Sequence, residues 1–393
     1  MLVVVIGGPT GVGKSELALR LARRINGELV SCDSVQVYRG LNIGSNKTAP
    51  GTPYREHLLD IIDRWEPFTA ADFYIRCQKL ITEIHSRGNV PIIVGGTGFY
   101  MDWLLRGRPQ APPTDPNSLL EVEQMLAEDG GDWTKSVRRL QVVDPIYAAT
   151  LLPNDFYRLK RALCVFRSTG RPLSSFSRCA GPGDIDFRCF YLTSERHAIC
   201  RRIDERCEDM LRKGLFQEVM DLGLKADCQA GRSIGYAQVI QLFDQLRGTG
   251  HTSSNEQTCA HIFRAFNQFL DGFKASSRQY SRKQENWFAR KNEFKWIFRP
   301  LPLSSPLPEH SELMEAVVSA ILSNRDDYQI KMEVIDRETR SKVNGLSKAS
   351  IMKEYKSLPC QLSIADLDAQ LEILLAISRG VAQPKDHTDL DRA

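Results

Sequence analysis

The chain has 393 residues, 42% of them hydrophobic and 25% charged, close to a globular average and enough for two or three compact domains. That balance excludes disordered, collagenous and coiled-coil chains, and no apolar run reaches the roughly 18 to 20 residues of a membrane-spanning helix. Lys and Arg number 52 against 48 Asp and Glu, a net charge of +4 that is too small to establish a nucleic-acid partner, so the placement of the basic residues must decide that question.

Met1 leads directly into LVVVI, Leu2 to Ile6, a β-branched run with no polar face that reads as a central strand covered on both sides. The run leaves no room for a leader, so the expected location is cytoplasmic, with a plastid or mitochondrion in place of it if a transit peptide has been removed. A glycine-rich turn follows. From Lys14 to Asn26 the residues Leu17, Ala18, Leu21, Ala22 and Ile25 form the stripe of a helix packed on a sheet. A second strand is predicted over about Glu28–Cys32 and a third over Val90–Val94, with the helical pattern Phe73, Cys77, Leu80, Ile81, Ile84 between them. That alternation predicts a parallel α/β sheet.

Beyond Gly107 the chain holds four prolines between Arg108 and Pro116, which reads as a connector out of the sheet. A helical insertion is expected there, with elements at Leu119–Glu128 and Asp155–Ser168 and a break at Gly181-Pro182-Gly183. FRCFYL, Phe187 to Leu192, reads as a returning buried strand, followed by a basic helix over about Glu195–Lys213 and another over about His261–Arg290. The predicted domains are therefore 1–107 (first part of the core), 108–190 (helical insertion), 191–300 (return to the core, with basic helices) and 301–393 (an accessory, mainly helical tail). The ten cysteines show no zinc-finger spacing and read as reduced, packed thiols.

Gly8-Pro9-Thr10-Gly11-Val12-Gly13-Lys14-Ser15 fits G-x-x-x-x-G-K-[ST] between a predicted strand and a predicted helix. Backbone N–H groups of such a P-loop converge on a phosphate, the helix N-terminus adds positive potential, Lys14 neutralises oxygens and the Ser15 hydroxyl can ligate Mg²⁺. The motif does not specify whose phosphates are bound. The strand Pro91–Val94 ends in Gly95-Gly96-Thr97-Gly98 rather than in an acidic residue, which argues against nucleotide hydrolysis. The acidic residue at a strand end is Asp33, on the sheet edge where α/β proteins bind ligands. It reads either as an N-cap or Asx-turn aspartate, or as a general base for a substrate amine.

The run Asp33-Ser34-Val35-Gln36-Val37-Tyr38-Arg39-Gly40-Leu41-Asn42-Ile43-Gly44 resembles a signature segment of the tRNA dimethylallyltransferases, also called tRNA isopentenyltransferases. His57-Leu58-Leu59-Asp60, Ala71-Asp72-Phe73, Gly95–Tyr100, Asn154–Leu163, Ile234-Gly235-Tyr236 and Ser277–Gln284 with Trp287-Phe288 agree with that family in the same order. The resemblance covers residues 2 to about 290. Asn42 stands where the family usually has aspartate, and the zinc finger common in animal and fungal members is not matched. RIDERCEDML, Arg202 to Leu211, is similar to a plant branch.

The resemblance implies a P-loop NTPase-like core and transfer of a dimethylallyl group from dimethylallyl diphosphate to N6 of the adenine 3′ of a tRNA anticodon, with diphosphate leaving. It implies catalytic roles for Asp33, Thr10, Lys14 and Arg158, diphosphate binding by Gly8 through Ser15, and Mg²⁺ on Ser15. It implies tRNA contacts from Asp33, Ser34, Val35, Gln36, Thr97, Tyr157, Arg158, Arg161, Arg278 and Arg282, with the anticodon stem-loop as partner and a monomer as the expected state. Between Arg264 and Arg299, nine basic residues stand against three acidic ones, interleaved with nine aromatics, a texture suited to an anticodon loop. The nearest rival is an adenylate isopentenyltransferase acting on free AMP, ADP or ATP; more distant ones are a small-molecule kinase and a nucleotide switch.

Overall fold

The computed structural model describes residues 1–47, 54–179, 183–247, 256–303, 305–308, 310–346, 355, 357 and 359–380. The chain divides into two compact units, one made of Met1–Met101 and the chain from Asp184 onward, the other of Asp102–Gly183.

The first unit is built on a six-stranded sheet, β1 (Leu2–Gly7), β2 (Gly27–Cys32), β3 (Glu56–His57), β4 (Val90–Gly95), β5 (Asp186–Thr193) and β6 (Lys295–Phe298), in the order β3-β2-β4-β1-β5-β6. Every pairing is parallel. The parallel α/β expectation therefore holds. Val3 to Ile6 are fully buried because helices cover the sheet. On α1 (Lys14–Ile25), the five stripe residues singled out above are all buried, and Asn26, in the left-handed region at φ 50°, ends the helix. The helix α2 (Ala70–Ser86) starts at a capping box between Thr69 and Asp72. The edge strands β3 and β6 escaped the sequence reading: two and four residues are too short to show a period.

The register sets the site. Ile6 pairs with Val94, and Cys32 with Gly95, so β1, β4 and β2 end side by side. The loops that follow carry Gly8–Gly13, Gly96-Thr97 and Asp33 onto one edge of the sheet. At its opposite end Glu28 is buried and accepts hydrogen bonds from Arg87 Nη2 at 2.7 Å and Asn89 Nδ2 at 2.7 Å, and its carboxylate lies 2.7 Å from His57 Nε2 on β3.

After β5 come α8 (Arg196–Arg212), α9 (Leu215–Leu222), α10 (Tyr236–Arg247) and α11 (Glu256–Phe288). Residues beyond 300 join the same unit: α12 (Glu312–Leu322) packs on α1, α13 (Arg325–Leu346) on β6, and α14 (Ile364–Ser378) on α10 and α11. Arg188 holds the end of α12 by donating to the carbonyls of Ala320 at 2.7 Å and Ser323 at 2.9 Å.

The helix α3 (Gly98–Arg106) leads from the first unit into the second, which contains α4 (Pro116–Ala127), α5 (Trp133–Val143), α6 (Pro145–Ala148) and α7 (Phe156–Thr169). Asp115, Asp132, Asp144 and Asp155 cap these four helices in turn. Its core gathers Val122, Leu140, Leu159, Leu163 and Cys164, with Trp133 edge-on to Phe156 at 5.2 Å. The predicted break at Gly181-Pro182 lies outside the described residues, as do 347–354 and 381–393 of the predicted tail.

Candidate active site

The phosphate loop turns tightly between β1 and α1. Gly11 and Gly13 have φ of 86° and 94°, a region that side chains rarely occupy. At Gly13 a Cβ would also collide with the guanidinium of Arg299. That arginine is buried; it donates to the Val12 carbonyl at 3.3 Å and pairs with Glu16 at 2.9 Å. Lys14 lies partly accessible in the cavity wall, with Nζ donating to the Pro9 carbonyl at 2.8 Å. Burial, with Arg206 adding to it and Asp33 opposing, lowers its pKa to about 7.

Asp33 resolves the two sequence readings into one arrangement. Its Oδ1 accepts the backbone N–H of Val35 at 2.8 Å, an Asx turn that fixes the carboxylate. Oδ2 accepts no hydrogen bond among the described residues, and the side chain lines two adjoining cavities. A carboxylate has two oxygens, so the turn that engages Oδ1 leaves Oδ2 open to the cavities.

The larger cavity, about 270 Å³, has a polar end at Thr10, Asp33 and Arg206 and an apolar wall of Ile203, Met210, Ile234 and Phe273. The smaller one, about 90 Å³, is lined by Lys14, Ser15, Ser31, Gln36 and Gly96, and the two share Thr10, Asp33, Ser45, Arg206 and Tyr280. The pair can hold a polyanion on the loop with an apolar tail beside it and a carboxylate against both.

Gly8–Ser15 and Asp33–Gln36 meet on this edge with Thr97, whose side chain is within hydrogen-bonding reach of Tyr280. Gln36 is held by Ser31 Oγ at 2.7 Å and by the Ser45 carbonyl at 3.2 Å. Arg278 turns away: it pairs with Asp204, which is fully buried and also accepts from Tyr355 Oη at 2.7 Å and Ser357 Oγ at 3.0 Å. Arg282 is exposed on α11. Tyr157, Arg158 and Arg161 belong to the second unit. There Tyr157 is 85% exposed, Arg158 pairs with Asp155 at 3.2 Å, and Arg161 donates to Thr114 Oγ1 at 3.0 Å.

Three site residues escaped the sequence reading. Arg206 donates to Thr10 Oγ1 at 3.0 Å; Gln284 accepts the Thr10 N–H at 2.9 Å and donates to the Gly96 carbonyl at 3.1 Å; Tyr280 lines both cavities. Arg206 stands in the quoted RIDERCEDML and the other two in Ser277–Gln284, where charge drew attention to Arg278 and Arg282 instead.

The IPP transferase family profile matches residues 36–292, and a profile described as isopentenyl transferase matches residues 1–60. The chain belongs to the IPP transferase family. It is 34% identical to tRNA dimethylallyltransferase 9 of Arabidopsis thaliana, covering 90% of this chain and 81% of that one. It is 40% identical to the tRNA dimethylallyltransferase of Geobacter metallireducens, over 76% of this chain and 93% of that one. Among solved IPP transferase folds, a eukaryotic dimethylallyltransferase acting on tRNA superposes with a TM-score of 0.67 at 24% identity, covering 100% of this chain and 98% of that one, a likeness of fold. No helix among the described residues is long and apolar enough to cross a membrane.

Proposed function

We propose that this protein transfers a dimethylallyl group from dimethylallyl diphosphate to N6 of the adenine 3′ of the anticodon in tRNA. The observation that carries this is the meeting, in one pair of cavities, of a phosphate loop, an apolar wall and the unengaged Oδ2 of Asp33. The diphosphate lies on Gly8–Ser15 and the allyl chain against Ile203, Met210 and Phe273. The N6 lone pair attacks C1 of the allyl group as the C1–O bond breaks, and the electron pair of that bond leaves with the diphosphate. Asp33 accepts the N6 proton, while Lys14 and Arg206 stabilise charge developing on the leaving oxygens. The buried wall keeps water from an allyl carbon that water would otherwise capture.

Ser15 suits a divalent cation: its hydroxyl is exposed at the N-terminus of α1, makes no hydrogen bond among the described residues and faces the cavity that Asp33 also lines. Bound Mg²⁺ would neutralise diphosphate charge there. Gln36 and Thr97 are the acceptor-side contacts of this reading, and the exposed Arg282, Tyr157 and Arg158 its contacts to the anticodon arm, with a cytoplasmic monomer as the working unit.

A free adenine nucleotide as acceptor is not favoured, because the relatives that match most of the chain are named for tRNA. The test offers labelled dimethylallyl diphosphate and Mg²⁺ with unmodified tRNA, and in parallel with AMP, ADP and ATP. Label in tRNA alone is expected. Label in free nucleotides, or in none of these acceptors, overturns the reading.

A further inference from the structure

Ile234 belongs to the apolar wall, but the adjoining Gly235 and Tyr236 and the helix α9 have no part in the chemistry above, yet they meet the site through one side chain. The carboxylate of Glu218 on α9 accepts three successive backbone N–H groups: Asn42 at 2.9 Å and Ile43 at 2.7 Å through Oε2, and Gly44 at 3.1 Å through Oε1. Its Oε1 also accepts the Tyr236 hydroxyl at 2.7 Å. Consecutive N–H groups pointing at one centre form a nest that demands an anion, and here the protein supplies its own. Tyr236 is fully buried with its ring against Gly44, where a Cβ would lie 2.5 Å from Cζ. Only glycine admits that approach.

The turn held in this way is the one that orients the acceptor side. Gly44 and Ser45 line the larger cavity beside Asp33 and Ser34. The carbonyls of Ser45 and Asn46 accept Gln36 Nε2 at 3.2 and 3.4 Å, while Ser31 Oγ donates to Gln36 Oε1 at 2.7 Å. None of these groups hydrogen-bonds to Gly8–Ser15 among the described residues. We infer that Glu218, braced by Tyr236, is a positioning residue for the acceptor nucleotide: it fixes the 42–46 turn and through it the Gln36 amide, without touching substrate.

The inference rests on the tRNA reading above, and the experiment separates the two. Glu218→Gln turns an amide NH₂ toward N–H and O–H donors and should raise KM for tRNA about tenfold, with kcat at saturating tRNA and the affinity for dimethylallyl diphosphate changed less than twofold. Tyr236→Phe keeps the ring against Gly44 and removes one hydrogen bond, so KM should rise two- to threefold. An unchanged KM in folded Glu218→Gln overturns the inference, as does an equal loss of donor affinity, the mark of general loosening. If Glu218→Gln does not fold, an unchanged KM in Tyr236→Phe overturns it. A wild-type protein inactive on tRNA but normal in donor binding removes the tRNA reading itself.

Discussion

Gln284 accepts the backbone N–H of Thr10 at 2.9 Å and donates to the Gly96 carbonyl at 3.1 Å, so a single amide on α11 ties the phosphate loop to the turn after β4. The contact explains why Gly96 is glycine: a Cβ would collide with that amide. Gln284→Met keeps the volume and leaves both backbone groups without this partner. The expected result, read by calorimetric titration, is a roughly tenfold weaker affinity for dimethylallyl diphosphate in a protein of normal fold. Undiminished affinity would mean that the loop holds its shape without the bridge.

Asp33 should separate chemistry from binding. Asp33→Ala removes the proposed proton acceptor and should lower the single-turnover transfer rate by roughly 10² to 10⁴ with tRNA affinity nearly unchanged. Because Oδ1 also closes the Asx turn to Val35, Asp33→Asn is the companion variant: its amide oxygen can keep the turn while basicity is lost. Equal loss in both variants assigns the defect to the proton, and a defect confined to alanine assigns it to the turn.

Much of this was legible in the sequence because the elements concerned announce themselves locally. The Leu2–Ile6 run, the P-loop and the stripe of α1 each carry their own period or turn chemistry, so β1, α1 and the phosphate loop could be placed from residues alone. Asp33 was legible as a candidate because it follows a strand. What could not be read were groups whose role depends on distant partners. Gln284 acts 274 residues away from Thr10, and Glu218 meets Asn42–Gly44 across 174 to 176 residues. No period or motif encodes such a contact. Arg278 shows the converse: a basic residue in an aromatic stretch looks like an RNA contact, and only the fold shows the buried Asp204 beside it.

Arg278 and Arg282 should therefore differ. Arg282 is exposed, so Arg282→Ala should weaken tRNA binding and reduce the slope of log K against log salt by about one, with the thermal midpoint unchanged. Arg278→Ala leaves Asp204 buried without its cation and should destabilise the fold by on the order of 3 kcal/mol. A salt slope altered by Arg278→Ala at unchanged stability would restore that residue to the RNA surface.

Acid should act on Glu28. Its hydrogen bonds from Arg87, reinforced by His57 and Asn89 against the cost of burial, lower its pKa from 4.5 to about 2. A depressed carboxylate pKa contributes stability that is complete above about pH 5 and is lost as pH falls toward 2, about 3 kcal/mol for a shift of this size. Chemical denaturation of wild type and Glu28→Gln across pH 2 to 7 should show a gap that closes through that window. A gap constant with pH would assign the difference to packing alone.

On the proposed reading, Lys14 should make donor binding a proton-linked event. Burial is the main cause of its lowered pKa of about 7, followed by the neighbouring Arg206. A bound diphosphate requires the ammonium form. Below pH 7 the free enzyme already carries that proton, whereas above it binding must take one up, so affinity should fall by up to tenfold per pH unit as pH rises past about 7. Titrations at pH 8 in two buffers of different ionisation enthalpy should register close to one proton taken up per dimethylallyl diphosphate. Lys14→Arg, charged at every accessible pH, should bind with no uptake. If wild type takes up none at pH 8, Lys14 is already an ammonium in the empty site, and Asp33 outweighs the burial that lowers it.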